Sequence, residues 1–222
     1  MTTPPVILRK LGRVSYSKAL ALQQSLAHKY NTVQPEEPIG ELLLCEHDPV
    51  YTLGLRERKT KCDEERLTIL GAQVHKTRRG GLTTFHGPGQ LLVYPVLNLR
   101  ALKLGVRDYV RCLENSVIRG LAEFGVNGFT TENVGVWVKG GEKEEKKICA
   151  IGIQVTHGVS YHGLALNCCT DLSWFSHIIP CGLVGKQMTS LSQLCTRTVS
   201  VEEVSPVLAA SLADTIGFTL IH

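Results

Sequence analysis

The chain has 222 residues, a formal net charge of +4, 43% hydrophobic residues and 20% charged ones. That composition suits one globular domain over residues 1–222, long enough to bury a core. It excludes a helical membrane protein, because no apolar run approaches the roughly 20 residues that cross a bilayer. The charge is too weak and too scattered to point to nucleic acid.

Residues 5–14 read as a strand, and residues 16–30 carry Ala19, Leu22, Leu26 and Tyr30 at helical spacing. No Asp or Glu precedes Glu36, whereas Arg9, Lys10, Arg13, Lys18 and Lys29 all do. Such a stretch suits mitochondrial import, or else is a first strand and helix without acids. Residues 41–47 form a short buried strand closed by Asp48-Pro49, residues 63–71 a short helix and 73–77 another strand. Residues 91–99 are the most strand-like segment. Val110, Leu113, Val117, Leu121 and Phe124 mark a second amphipathic helix that ends at Gly125. Residues 135–140 and 147–155 pair as a hairpin whose charged tip, Glu142 to Lys147, faces solvent. Residues 161–169 form a strand, a helix starts near Met188-Thr189, and 201–217 is a final helix. Strands outnumber helices and hairpins interrupt them, so the fold class is α+β.

The eight cysteines are too sparse for a disulfide scaffold, and their spacing is poor for zinc, so reduced thiols and no metal are expected. Cys149, Cys168 and Cys169 fall in apolar strand patterns and read as small core residues. Cys181 lies between Pro180, which fixes the backbone on one side, and Gly182, which frees it on the other. A thiol on such a turn is open to attack.

Four glycines occupy the ten residues 80–89, between two strands. Without a Cβ they let the backbone come close to a ligand, and Arg79 beside Gly80-Gly81 suits a carbonyl or a phosphate. The Gly-Lys-Ser/Thr of a nucleotide-hydrolysing loop is missing. Strand alternation puts Lys147, Cys149 and Ile151 on one face. Taken alone, a lysine at the mouth of an apolar strand is a solvated strand end.

In order, the chain reads Arg79-Gly80-Gly81-Leu82-Thr83-Thr84-Phe85-His86-Gly87-Pro88-Gly89-Gln90, then Lys147-Ile148-Cys149-Ala150-Ile151-Gly152, then His162-Gly163-Leu164-Ala165-Leu166-Asn167, then Pro180-Cys181-Gly182. This series resembles the lipoyl (octanoyl) transferases of lipoate synthesis, over residues 40–195 and compatibly before them. The resemblance implies the fold of the biotin and lipoate protein ligase catalytic domain, a mixed sheet with flanking helices. It implies octanoyl transfer from octanoyl-acyl carrier protein to a lysine of apo lipoyl domains, such as the glycine-cleavage H protein and the E2 subunits of 2-oxoacid dehydrogenases. Cys181 would carry the acyl thioester and Lys147 would lower its pKa. Arg79, Gly80, Gly81, Leu82, Thr83, Thr84, Phe85 and His86 would line the substrate site, with Ala150, Ile151, Gly152, Gly163, Leu164 and Ala165. No metal, nucleotide or other cofactor, nucleic acid or membrane is implied. The cysteine load and the acid-free N-terminal stretch fit a mitochondrial member of the family, with the cytoplasm as the alternative location. Lys147 is preferred to Lys146 because it directly precedes Ile148. The lengthened stretch before it, residues 140–147, departs from the family pattern and leaves the hairpin tip undefined.

Two other readings compete. An ATP-using lipoate or biotin protein ligase would share the fold, but adenylate chemistry needs no nucleophilic cysteine. A non-catalytic acyl-binding or protein-binding module would need neither Cys181 nor Lys147.

Overall fold

Long apolar strands need cover on both faces, and the helices supply it. The computed structural model describes residues 3–32, 37–57, 61–141, 144–180 and 185–222, without the side chains of 61–63. In chain order the elements begin β1 (Pro5–Arg13), α1 (Tyr16–Lys29), β2 (Gly40–Glu46), β3 (Val50–Leu53), α2 (Lys61–Ile69), β4 (Gln73–Lys76), β5 (Thr84–His86) and β6 (Gln90–Asn98). They continue with α3 (Val106–Ala122), β7 (Val136–Lys139), β8 (Glu145–Thr156), β9 (Val159–Asn167), a 3-10 helix (Leu172–His177), β10 (Gln187–Met188), α4 (Leu191–Cys195), α5 (Val201–Ile216) and β11 (Thr219–Ile221).

The main sheet is mixed, in the order β10-β8-β9-β6-β2-β1-β11, with β7 also paired to β8. On one face α3 and α5 bury Leu113, Val117, Leu121, Leu208 and Leu212 against Leu91, Val93, Leu97 and Leu164. Each such side chain contributes about 1.5–3 kcal/mol through burial. On the other face α1 packs Ala19 and Leu26 against Leu92, Tyr94 and Ala165. A small second sheet, β4-β3-β5, carries Tyr51 and Phe85 onto Trp174 and Phe175.

The acid-free basic stretch folds into β1 and α1. Arg9 and Lys29 pair with the fully buried Glu41, and Arg13 pairs with Asp48. β9 stops at Asn167, so Cys168 is buried but Cys169 is exposed just past the strand, contrary to its reading as a core residue. The helix expected near Met188-Thr189 begins at Leu191, where the Ser190 hydroxyl caps Gln193 N–H. Glu142 and Cys181-Gly182 lie outside the described residues.

Pro95 sits in the middle of β6, where a ladder N–H is missing. Pairing with β9 lapses between Val93–Leu164 and Leu97–Ser160. In that gap His162 has φ +59°, and its N–H turns to Gln23 Oε1 on α1 at 2.8 Å. The lapse redirects β9 where the functional residues gather.

Candidate active site

Small residues leave a slot on the α1 face of the main sheet. Ala150 and Gly152 on β8 pair with Ala165 and Gly163 on β9, and these four pave its floor. Leu92 and Tyr94 continue the floor onto β6, while Arg79, Gly81, Leu82, Thr84 and His86 form the opposite wall. Ile151, His162, Leu164 and, from α1, Tyr16 complete the lining. Three strands at about 4.8 Å spacing give the slot a run of roughly 10 Å across the sheet.

Alternation along β5 sorts the glycine-rich segment. Thr84 and His86 face the slot, while Phe85 turns away to stack on Trp174 at 5.1 Å. Thr83 also points away and donates to Glu57. Gly80 docks on the β8 edge, its N–H donating to Ile153 O at 3.0 Å. A Cβ at Gly152 would stand 3.0 Å from Gly80 O, so glycine lets the two backbones touch. Arg79 does not present a free guanidinium. It donates to Thr52 O (2.7 Å), Thr52 Oγ1 (2.8 Å) and Gly80 O (2.9 Å), and thereby ties β3 to the glycine turn.

The Arg79 guanidinium brings a positive charge to the slot wall, and the histidines and tyrosine beside it are neutral. His86 bonds Gln90 Oε1 at 2.8 Å and Thr52 Oγ1 at 3.2 Å, and burial, then Arg79, pushes its pKa down to about 3. Burial and Arg79 push His162 down to about 3 as well. Tyr16 is raised to about 12 by burial. Its hydroxyl and Thr84 Oγ1 find no hydrogen-bond partner among the described residues. Beside it, His47 bonds Val14 O and Tyr94 OH.

Lys147 belongs to a second, wider cleft of about 390 Å³, lined by Arg56, Val110, Glu132, Asn133, Val134, Ile151 and Ile153. The cleft meets the slot where both are lined by Gly81, Ile151 and Gly152. Lys147 is not a solvated strand end. It is 3% exposed, because residues 131–135 fold back over it. Its Nζ donates to Val134 O at 2.9 Å and lies 4.8 Å from the centre of the Trp137 ring. Such a cation–π contact is worth about 0.5–2 kcal/mol. Its backbone is held on both sides, by Trp137 on β7 and Met188 on β10. Lys146, by contrast, reaches outward to Glu144.

Burial pushes the Cys45 and Cys149 thiols up to about 12 and Cys168 higher still, which keeps all three protonated and poor as nucleophiles. The segments flanking Cys181 share one cavity, since Pro180 and Gly185 line it together with Met188. The sequence reading missed Tyr16, Leu92, Tyr94 and His162 in the slot, and residues 132–134 in the cleft. His162 alone had a local signal, as the first residue of its motif.

A family model, the lipoyl protein ligase A/B catalytic domain, matches residues 15–213. The chain belongs to this family. The mitochondrial octanoyl-acyl-carrier-protein:protein N-octanoyltransferase of Danio rerio is 47% identical over 96% of the chain and 92% of its own length. Its Homo sapiens namesake is 45% identical over 100% of the chain and 97% of its own length. Among solved structures, a bipartite lipoate protein ligase from Thermoplasma acidophilum superposes with TM-score 0.73 at 16% identity, over 100% of the chain and 88% of its own. Biotin protein ligase from Aquifex aeolicus gives 0.54 at 14% identity, over 96% and 70%. The fold is therefore that of the lipoate and biotin protein ligase catalytic domain, as the motif resemblance implied.

Proposed function

We propose that the whole chain acts as one catalytic domain that moves an octanoyl group from acyl carrier protein to a lysine of apo lipoyl domains, through a thioester on Cys181. The relatives named octanoyltransferase, alike over nearly the full chain, carry this reading. Relatives named mitochondrial from fish, human, fly and plant place the enzyme in mitochondria. The H protein and the E2 subunits are the acceptors whose lysines we assign to it.

The chemistry proceeds in two balanced steps. The Cys181 thiolate attacks the thioester carbonyl of the donor, a new carbon–sulfur bond forms as the donor's breaks, and the carrier thiol leaves with the proton of the Lys147 ammonium. The acceptor amine then attacks the acyl-enzyme, giving an amide as the Cys181 carbon–sulfur bond breaks, and its proton passes to Lys147, which restores the thiolate and the ammonium. Thioester exchange trades like for like, and amide formation drives the sequence. A free cysteine with pKa about 8.5 is only a few per cent thiolate at neutral pH. The Lys147 ammonium favours the anion in the first step, and the neutral amine accepts the incoming proton in the second. The acyl chain lies in the slot, while the open cleft admits the acceptor lysine. Met188, seven residues after Cys181, is register-paired with Lys147, and this closeness along the chain supports the pairing of the two roles.

Intact-mass analysis after mixing the chain with octanoyl-acyl carrier protein tests the intermediate. One octanoyl adduct should appear, map to Cys181 and vanish in Cys181→Ala. An adduct on Cys149, Cys168, Cys169 or Cys195 would refute the assignment. Formation of an octanoyl adenylate from ATP would favour the ligase mechanism instead.

A further inference from the structure

The mechanism gives no part to Glu114, yet this carboxylate is buried behind the lysine that the mechanism uses. It lies on the inner face of α3, 8% exposed, and its Oε1 accepts the N–H of Gly135 at 2.9 Å. The neighbouring carbonyl, of Val134, is the acceptor for Lys147 Nζ at 2.9 Å. One residue earlier, the Asn133 carbonyl accepts from Trp137 Nε1, also at 2.9 Å. Residues 133–135 are thus tied in succession to an indole on β7, an ammonium on β8 and a carboxylate on α3.

The fit is close. Gly135 has φ +123°, and a Cβ there would stand 3.0 Å from Lys147 Cε and 2.6 Å from Cys149 O. The loop therefore lies directly against the lysine stem. Val134 is half exposed, so its own side chain does little to anchor the peptide. A buried N–H must find an acceptor, and an ionised acceptor holds it about twice as strongly as a neutral one. Beyond its burial, the Cys149 thiol feels both the Lys147 and the Glu114 charge, which sets the two within electrostatic reach of one group.

We propose that Glu114 is a positioning residue: by holding Gly135 N–H it fixes the Val134 carbonyl that orients the Lys147 ammonium in the cleft. The inference rests on the reading of Lys147 as the proton-handling partner of acyl transfer.

Steady-state octanoyl transfer to an apo lipoyl domain tests it, with Glu114→Ala, Glu114→Gln, Glu114→Asp, Lys147→Ala and the Glu114→Ala/Lys147→Ala double variant. Misplacing a reacting group by about 1 Å costs up to about 10²-fold, so Glu114→Ala should lower kcat by about 10- to 10²-fold. KM for the acyl donor should stay within about twofold, since the slot is untouched. Glu114→Gln retains an acceptor of the same reach and should recover most of the loss. Glu114→Asp keeps the charge but falls short of Gly135, so it should resemble Ala, and it substitutes for Ala if that variant does not fold. In the Lys147→Ala background, Glu114→Ala should add no further loss. Full kcat in Glu114→Ala or Glu114→Asp beside a crippled Lys147→Ala overturns the inference and leaves the mechanism standing. So do additive losses in the double variant, or a Gln variant as slow as Ala. Normal transfer by Lys147→Ala removes the role of the lysine itself, and the positioning role falls with it.

Discussion

The slot and the cleft share Gly81, Ile151 and Gly152 but are built on opposite terms. The slot is narrow, and beside the Arg79 guanidinium, which binds Thr52 and Gly80, its titratable wall groups are neutral: histidines held unprotonated and a tyrosine held as its phenol. The cleft is wide and charged, with Arg56, Glu132 and Lys147 on its walls. One cavity suits an acyl chain that must leave water, and the other suits a protein lysine that must arrive from it. The two meet at Gly81, Ile151 and Gly152, where the proposed transfer would bring acyl carbonyl and amine together.

Removing Lys147 strikes the cleft alone and should have the largest effect. Lys147→Ala should slow transfer by about 10²- to 10⁴-fold through lost proton transfer. The lysine is buried and hydrogen-bonded, so the same change should also lower stability by about 1–3 kcal/mol, read by chemical denaturation. Lys147→Arg keeps the positive charge but cannot act as a base near neutral pH, so it should acylate yet turn over poorly. Lys146→Ala is the control and should match the parent. A dead Lys146→Ala beside an active Lys147→Ala would transfer the role to the other face of the strand.

Filling the slot floor should separate the two cavities the other way. Ala165→Leu overpacks the floor, at about 1–3 kcal/mol, or roughly 5- to 150-fold in octanoyl transfer. Acetyl donors, which do not reach the floor, should be spared. In the parent chain, two fewer methylenes at about 0.8 kcal/mol each should make hexanoyl about tenfold poorer than octanoyl. Equal rates for acetyl, hexanoyl and octanoyl would mean that no acyl chain fills the slot.

Acid should loosen the slot wall first. The folded chain refuses protons at His86 and His162 down to about pH 3, whereas the unfolded chain takes them up near 6.5. Their stabilising contribution is therefore complete above about pH 6.5. As pH falls towards 3 it is lost at up to about 1.4 kcal/mol per pH unit for each histidine. Denaturant midpoints at pH 7 and pH 5 should show this slope, and His86→Gln/His162→Gln should flatten it. An unchanged slope in that variant would place the acid sensitivity elsewhere.

Much of this was legible where chemistry and periodicity coincide. The helices at α1, α2, α3 and α5, the β7–β8 hairpin and the glycine-rich wall all follow from spacing or motif. Short strands such as β3, β5 and β11 carry three or four residues, too few to show a period, and they are set by their partners. Tyr16 looked like an ordinary helix residue, because only the packing of α1 brings it to the slot. The burial of Lys147 depended on Gly135, whose positive φ turns residues 131–135 over the lysine, and no local pattern announces such a turn. Thr83 and Phe85 were grouped with the slot because a motif is contiguous, whereas a strand shows one ligand every other residue.

The stacking of Lys147 on Trp137 also gives the molecule a built-in optical gauge. The chain has two tryptophans, and the second, Trp174, lies against Phe85 in the small sheet's core. With Trp174 replaced by phenylalanine, indole emission arises from the ring beneath the lysine alone. Its colour and intensity should then follow the charge of Lys147 and of Lys186, 5.8 Å from the same ring, so that a change at the cleft can be read without any attached dye.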